Sequence, residues 1–117
     1  MKMPRSGKAA EELLRAVVPG GKDVTFRPMF GNLSVFVKGN MFAGVFGDDL
    51  FVRLSDEDRG RLLSIHGAAV FEPMKGRQMK DYVVVPREWT KDQAKIKPWV
   101  ASALEWSSKL PPKQKKR

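Results

Sequence analysis

An α+β domain is predicted, of order α-β(3)-α-β(2)-α, with its helices in one layer and a five-stranded antiparallel sheet in the other. Three observations predict it. Apolar residues recur at helical spacing in three segments, and the runs between them alternate with period two. The 117-residue chain, 42% apolar, can bury one core and is too short for two ordinary domains.

From about Ser6 to Val18, the residues Ala9, Ala10, Leu13, Leu14, Val17 and Val18 mark one face of a first helix, which Pro19-Gly20-Gly21 ends. Leu33, Val35 and Val37 then alternate with Ser34, Phe36 and Lys38, and Gly39-Asn40 offers the positive φ angles of a tight hairpin turn. Met41 to Phe46 continues as a second strand, residues 47–49 turn, and Leu50 to Leu54 reads as a third. Ser55 before Asp56, Glu57 and Asp58 is a helix start: a hydroxyl caps free amides and carboxylates meet the positive end of the dipole. Leu62, Leu63 and Ile65 face inward and Gly67 stops the helix. A second hairpin joins Ala69–Phe71 to Tyr82–Val85 through the polar connection 72–81. Thr90-x-x-Gln93 has the form of a capping box, and Ile96, Trp99, Val100, Ala103, Leu104 and Ser107 share a face of the third helix, with Pro98 kinking it or setting its start.

The strands are apolar on both sides. Met41, Ala43 and Val45 point one way and Phe42, Gly44 and Phe46 the other, and Val83 and Val85 oppose Tyr82 and Val84. A sheet with one wet face alternates apolar with polar. Either the helices divide between the two sides or a second chain covers one of them. Three helices are few for both sides of five strands, so a homodimer is expected, its face formed by Phe36, Phe42, Phe46, Phe51, Tyr82 and Val84; the bland alternative is that these residues fill a monomer core.

The net charge is +9, and five of the basic residues fall in 109–117 with no acidic one, which predicts a basic disordered tail. Such a balance favours polyanions. Nucleic-acid contact is expected through the connection carrying Lys75, Arg77 and Lys80, and through Lys113, Lys115, Lys116 and Arg117 of the tail; a solvated connection explains the first three equally. The absence of cysteine removes disulfides and thiolate chemistry. With neither a membrane-length apolar run nor a secretory signal, a cytoplasmic protein without membrane contact is expected.

Catalytic and cofactor chemistry is not indicated. Gly31, Gly39, Gly44 and Gly47 do not form a phosphate loop and read as turn and bulge residues. His66, the single histidine, has no metal-ligand company and no nucleophile to serve. Turn chemistry and capping account for Asp48, Asp49, Asp56, Glu57 and Asp58 without a metal ion. Trp99 and Trp106, seven apart, read as core rather than as base-stacking residues. Arg27, between apolar residues at the sheet's entry, pairs with a carboxylate or binds an anion.

The stretch RPMFGNLSVFVKGNMFAGVFGDDLFVRLSDED at 27–58, with VFEPM at 70–74, DYVVVP at 81–86 and a closing amphipathic helix, resembles the amino-terminal domain of the TfoX/Sxy competence-regulator family. Its most specific pieces are Arg27-x-Met29-Phe30-Gly31, Gly39-x-Met41-Phe42-Ala43 and Tyr82-x-x-x-Pro86; Asn32 stands where the family often has a second glycine. The resemblance implies a stand-alone domain over residues 1–108, similar in layout to type III secretion chaperones. It also implies a non-enzymatic module of transcription regulation acting with nucleic acid or a transcription complex, with no cofactor and no catalytic residue to carry over. The competing reading is a homodimeric, chaperone-like module that binds a protein partner without touching nucleic acid.

Overall fold

The structure is a computed structural model that describes residues 7–21, 23–29 and 32–111. Its elements are α1 (Lys8–Val17), β1 (Val24–Met29), β2 (Asn32–Val37), β3 (Asn40–Phe46), β4 (Asp49–Arg53), α2 (Asp56–Leu63), β5 (Ala69–Met74), β6 (Arg77–Val84), a 3-10 turn at Arg87–Lys91, and α3 (Gln93–Ser108). Phe30, Gly31 and the tail residues Lys113, Lys115, Lys116 and Arg117 lie outside the described residues.

The strands form one antiparallel sheet in the order β1-β2-β3-β4-β6-β5. It has six strands, not the expected five. The added one is β1, which pairs along its whole length with β2, from Val24 opposite Val37 to Met29 opposite Asn32. Its Pro28 gives no donor to a ladder, which an edge strand tolerates. The second hairpin also differs, because β5 and β6 run on to a two-residue turn at Lys75-Gly76 where a long polar connection was expected. Gly76 takes φ 82° there, and its N–H donates to Glu72 Oε2 at 2.7 Å. In the β2–β3 turn the central residues are Lys38 and Gly39, with φ 51° and 84°, the pattern of a type I′ turn, so Asn40 begins β3.

Val35, Ala43, Val52 and Val83 lie side by side across β2, β3, β4 and β6 and are fully buried. They share one cluster with Leu13, Leu14 and Val17 of α1, Leu62 of α2, and Ile96, Val100 and Ala103 of α3. Every buried helix residue of that cluster thus meets the same side of the sheet. Ser55 caps α2 as expected, its Oγ accepting from the Asp58 N–H at 3.3 Å. Leu63 is exposed rather than inward. The capping box at Thr90 does not form: Thr90 Oγ1 donates to the Arg87 carbonyl within the 3-10 turn, and α3 begins five residues ahead of Pro98. Trp99 packs partly against the core, whereas Trp106 is 37% exposed. Among the described residues no helix is long and apolar enough to cross a membrane.

Candidate interaction face of the sheet

The other side of the sheet carries strand residues alone. Phe51, Phe71 and Tyr82 form a second cluster there, with Met41, Phe46, Met79 and Val84 packed half-buried around it. The Phe51 and Phe71 rings stack with centroids 4.2 Å apart and 13° between their planes. Phe46 meets Phe71 edge-on at 5.5 Å, and Tyr82 meets Phe51 edge-on at 5.6 Å. With Phe51 at 3%, Phe71 at 6% and Tyr82 at 8% exposure, these three rings cover one another within a single chain.

Of the six residues expected on a dimer face, Phe36, Phe46, Phe51, Tyr82 and Val84 lie on this side or are packed in its cluster, and Phe42 does not. Val35 faces Ala43 but Phe36 faces Met41, so Phe42 is an extra residue in β3. A bulge turns two successive side chains to one side. Phe42 therefore joins Ala43 in the helix-side core, fully buried, and Met41 takes the place expected for it. Tyr82 Oη donates to the Met41 carbonyl at 3.1 Å, tying β6 to β3 across the end of β4.

Gly44 is neither a turn nor a bulge residue. It stands mid-strand opposite Phe51, where an added Cβ would lie 2.6 Å from Phe51 Cζ. Asn32, buried at the start of β2, accepts from the Gly47 N–H through Oδ1 at 3.1 Å and so holds the β3–β4 turn.

Arg53 lies over the Tyr82 ring, 5.7 Å from its centroid, and pairs with Asp81 at 3.5 Å. Asp81 also takes Arg59 at 3.2 Å, and Arg59 reaches Asp56. Burial pushes the Tyr82 phenol above its ordinary value; Arg53 opposes that shift and Asp81 adds to it.

At the far edge an open pocket of about 390 Å³ is lined by Phe46, Phe71 and Val84, with Asp49, Glu72 and Arg87 at its rim. Arg87 and Asp49 pair with each other at 3.0 Å.

Arg27 sits over the Phe36 ring at 4.8 Å, a cation–π contact that neither expected partner supplies. Lys75, Arg77 and Lys80 are exposed and belong to one hairpin, Lys75 in its turn and the others on β6 rather than in a loop; no carboxylate among the described residues pairs with them. Asp48 lies in the β3–β4 turn, Asp49 begins β4 and Asp56 to Asp58 stand beyond its end, and arginines hold Asp49, Asp56 and Asp58. His66 is exposed after α2. Phe71, Met79 and Arg87 were not foreseen as parts of this face. For Phe71 the signal was there, since a second-hairpin phenylalanine cannot pack on the helix side once Val83 and Val85 occupy it.

A family model described as the TfoX N-terminal domain matches residues 12–107. Comparison with curated proteins and with solved structures gives no match.

Proposed function

Because this chain belongs to the TfoX N-terminal domain family, we propose that it is a cytoplasmic regulatory module that works by contact, without catalysis, in transcription regulation. Its counterpart is nucleic acid or a transcription complex. The observation that supports this reading most is the state of its cations. Arg53, Arg59, Arg61 and Arg87 are tied to carboxylates, whereas Lys75, Arg77 and Lys80 project unpaired from one hairpin. Residues 109–117 add five more basic groups, of which Lys109 pairs with Glu105 and four remain for phosphate. Contacts of this kind read phosphate and not sequence.

The test is duplex-DNA binding as a function of salt, for the full chain and for a chain ending at Ser108. The full chain is expected to bind at low salt, and truncation to lower the log–log salt slope by about 4, one unit for each lost phosphate contact. No binding at low salt overturns direct contact.

A second reading, a homodimer joined through the helix-free side of the sheet, draws on Phe36, Met41, Phe46, Met79 and Val84, which stay half-buried there. Half-buried apolar residues gathered on one face fit a partner surface.

A further inference from the structure

Among the described residues the outer side of β5 has no neighbour in the sheet, and β6 is the one element packed extensively against it. An edge strand presents unpaired N–H and C=O groups that another strand can take up. Prolines blunt both edges of this sheet, Pro28 in β1 and Pro73 in β5. Residues 69–72 contain no proline and keep every N–H, and the β5–β6 register shifts between Val70 and Phe71 and again between Phe71 and Met74. The pocket floored by Phe46, Phe71 and Val84, with Asp49, Glu72 and Arg87 at its rim, opens beside that same half of β5. Of its rim charges, Asp49 and Arg87 satisfy each other and Glu72 accepts from the Gly76 N–H, so the floor of Phe46, Phe71 and Val84 is left to an apolar side chain. Farther along β5, at a strand rise of about 3.3 Å per residue and so about 17 Å from Val70 to Lys75, come the unpaired Lys75 and Arg77, whereas Lys80 follows Met79, which faces Phe71, and so lies level with the pocket.

We propose that residues 69–72 receive an extended segment of a partner protein as a seventh strand, with one apolar side chain in the pocket and acidic residues about five positions away against Lys75 and Arg77. Main-chain pairing supplies affinity, while the pocket and the cations set the register. Nucleic acid is drawn to the same cations but uses neither a strand edge nor an apolar floor, so the combination favours an acidic peptide. This surface deepens the contact reading above, on which it rests only in needing no catalysis, and it leaves the tail's cations to phosphate.

The probes are two dye-labelled peptides, each with three Asp at one end, a spacer of alternating Thr and Val and a Phe anchor, built in opposite chain directions, plus versions N-methylated at alternate amides. Binding to the full chain is followed by fluorescence anisotropy and by amide hydrogen exchange. At least one parent peptide is expected to saturate and to slow exchange at residues 69–72. Its N-methylated version is expected to bind at least tenfold more weakly, as is the parent peptide with the double variant Lys75→Glu, Arg77→Glu. The chain ending at Ser108 keeps peptide affinity within twofold, so loss of DNA binding and loss of peptide binding are separate results. Failure of both peptides to saturate overturns the proposal. So do equal binding of parent and N-methylated peptides, an oligonucleotide that protects residues 69–72 in the peptide's place, and occupation of the pocket by a second copy of the chain.

Discussion

An added Cβ at residue 44 would lie 2.6 Å from Phe51 Cζ and 3.0 Å from Ser34 Oγ. The Phe51 ring has little room to retreat, since its other side stacks on Phe71. Gly44→Ala is therefore expected to destabilise the fold by about 1–3 kcal/mol, the usual range for forcing a methyl group into a filled site. Denaturant titration measures this. Adding Phe51→Leu should recover part of the loss, because the two residues are in contact and their effects are not additive; strictly additive losses would show that the ring does not lie over Gly44. This pairing was countable from the sequence. Once Gly47 and Asp48 are the turn, Phe46 faces Asp49 and Gly44 must face Phe51. What hid it was a reading of every glycine as a turn former, when here the missing side chain makes room for a ring.

The bulge at Phe42 and the tie from Tyr82 belong to the scale of elements. Tyr82 is the only tyrosine, so absorbance near 295 nm reports its ionisation alone. The native chain is expected to titrate above the ordinary phenol value of about 10, burial being the main cause. A folded-state value raised above the unfolded one gives stability that is fully present below the unfolded value and lost as pH climbs through the folded one. Tyr82→Phe should thus flatten the fall of stability above about pH 10; coincident titration of native and denatured chains would mean that the phenol is not buried. The meander, the Ser55 cap and the three helices were legible because turn residues and apolar periods agree there. Three features were not. The bulge shifts face parity by one residue and leaves no mark in composition. Pro28 masks β1 as a strand. In the distal half of β6, Arg77, Gln78, Lys80 and Asp81 are exposed whichever way they point, so no alternation survives to announce a strand.

At the scale of the whole molecule, the two-sided apolar pattern that prompted the homodimer has two contributors. Phe71 reaches over Phe51 and buries it within one chain, and a half-buried remainder is left around them. If that remainder joins two copies, the solution mass is expected at twice 13.2 kDa, with Phe46→Glu returning it to a single chain. A single-chain mass across accessible concentrations, by light scattering, sinks the dimer. Neither outcome alters the comparison between full and truncated chains, because residues 109–117 lie apart from the aromatic cluster in sequence. The candidate site was less legible than the fold for a physical reason: the cations stood out by charge, but whether each is paired depends on contacts far along the chain, such as Arg87 with Asp49 and Arg53 with Asp81.

The sheet order bears also on how the chain is made. Strands β1 to β4 follow one another as sequence neighbours, so hairpin after hairpin can close as the chain leaves the ribosome. The helix that supplies Ile96, Val100 and Ala103 to cover them is the last element synthesised. For the time it takes to add some forty further residues after β4, the side of the meander bearing Val35, Phe42 and Val52 lacks that cover, and it is in this interval that the nascent chain is most open to aggregation and most in need of a holdase.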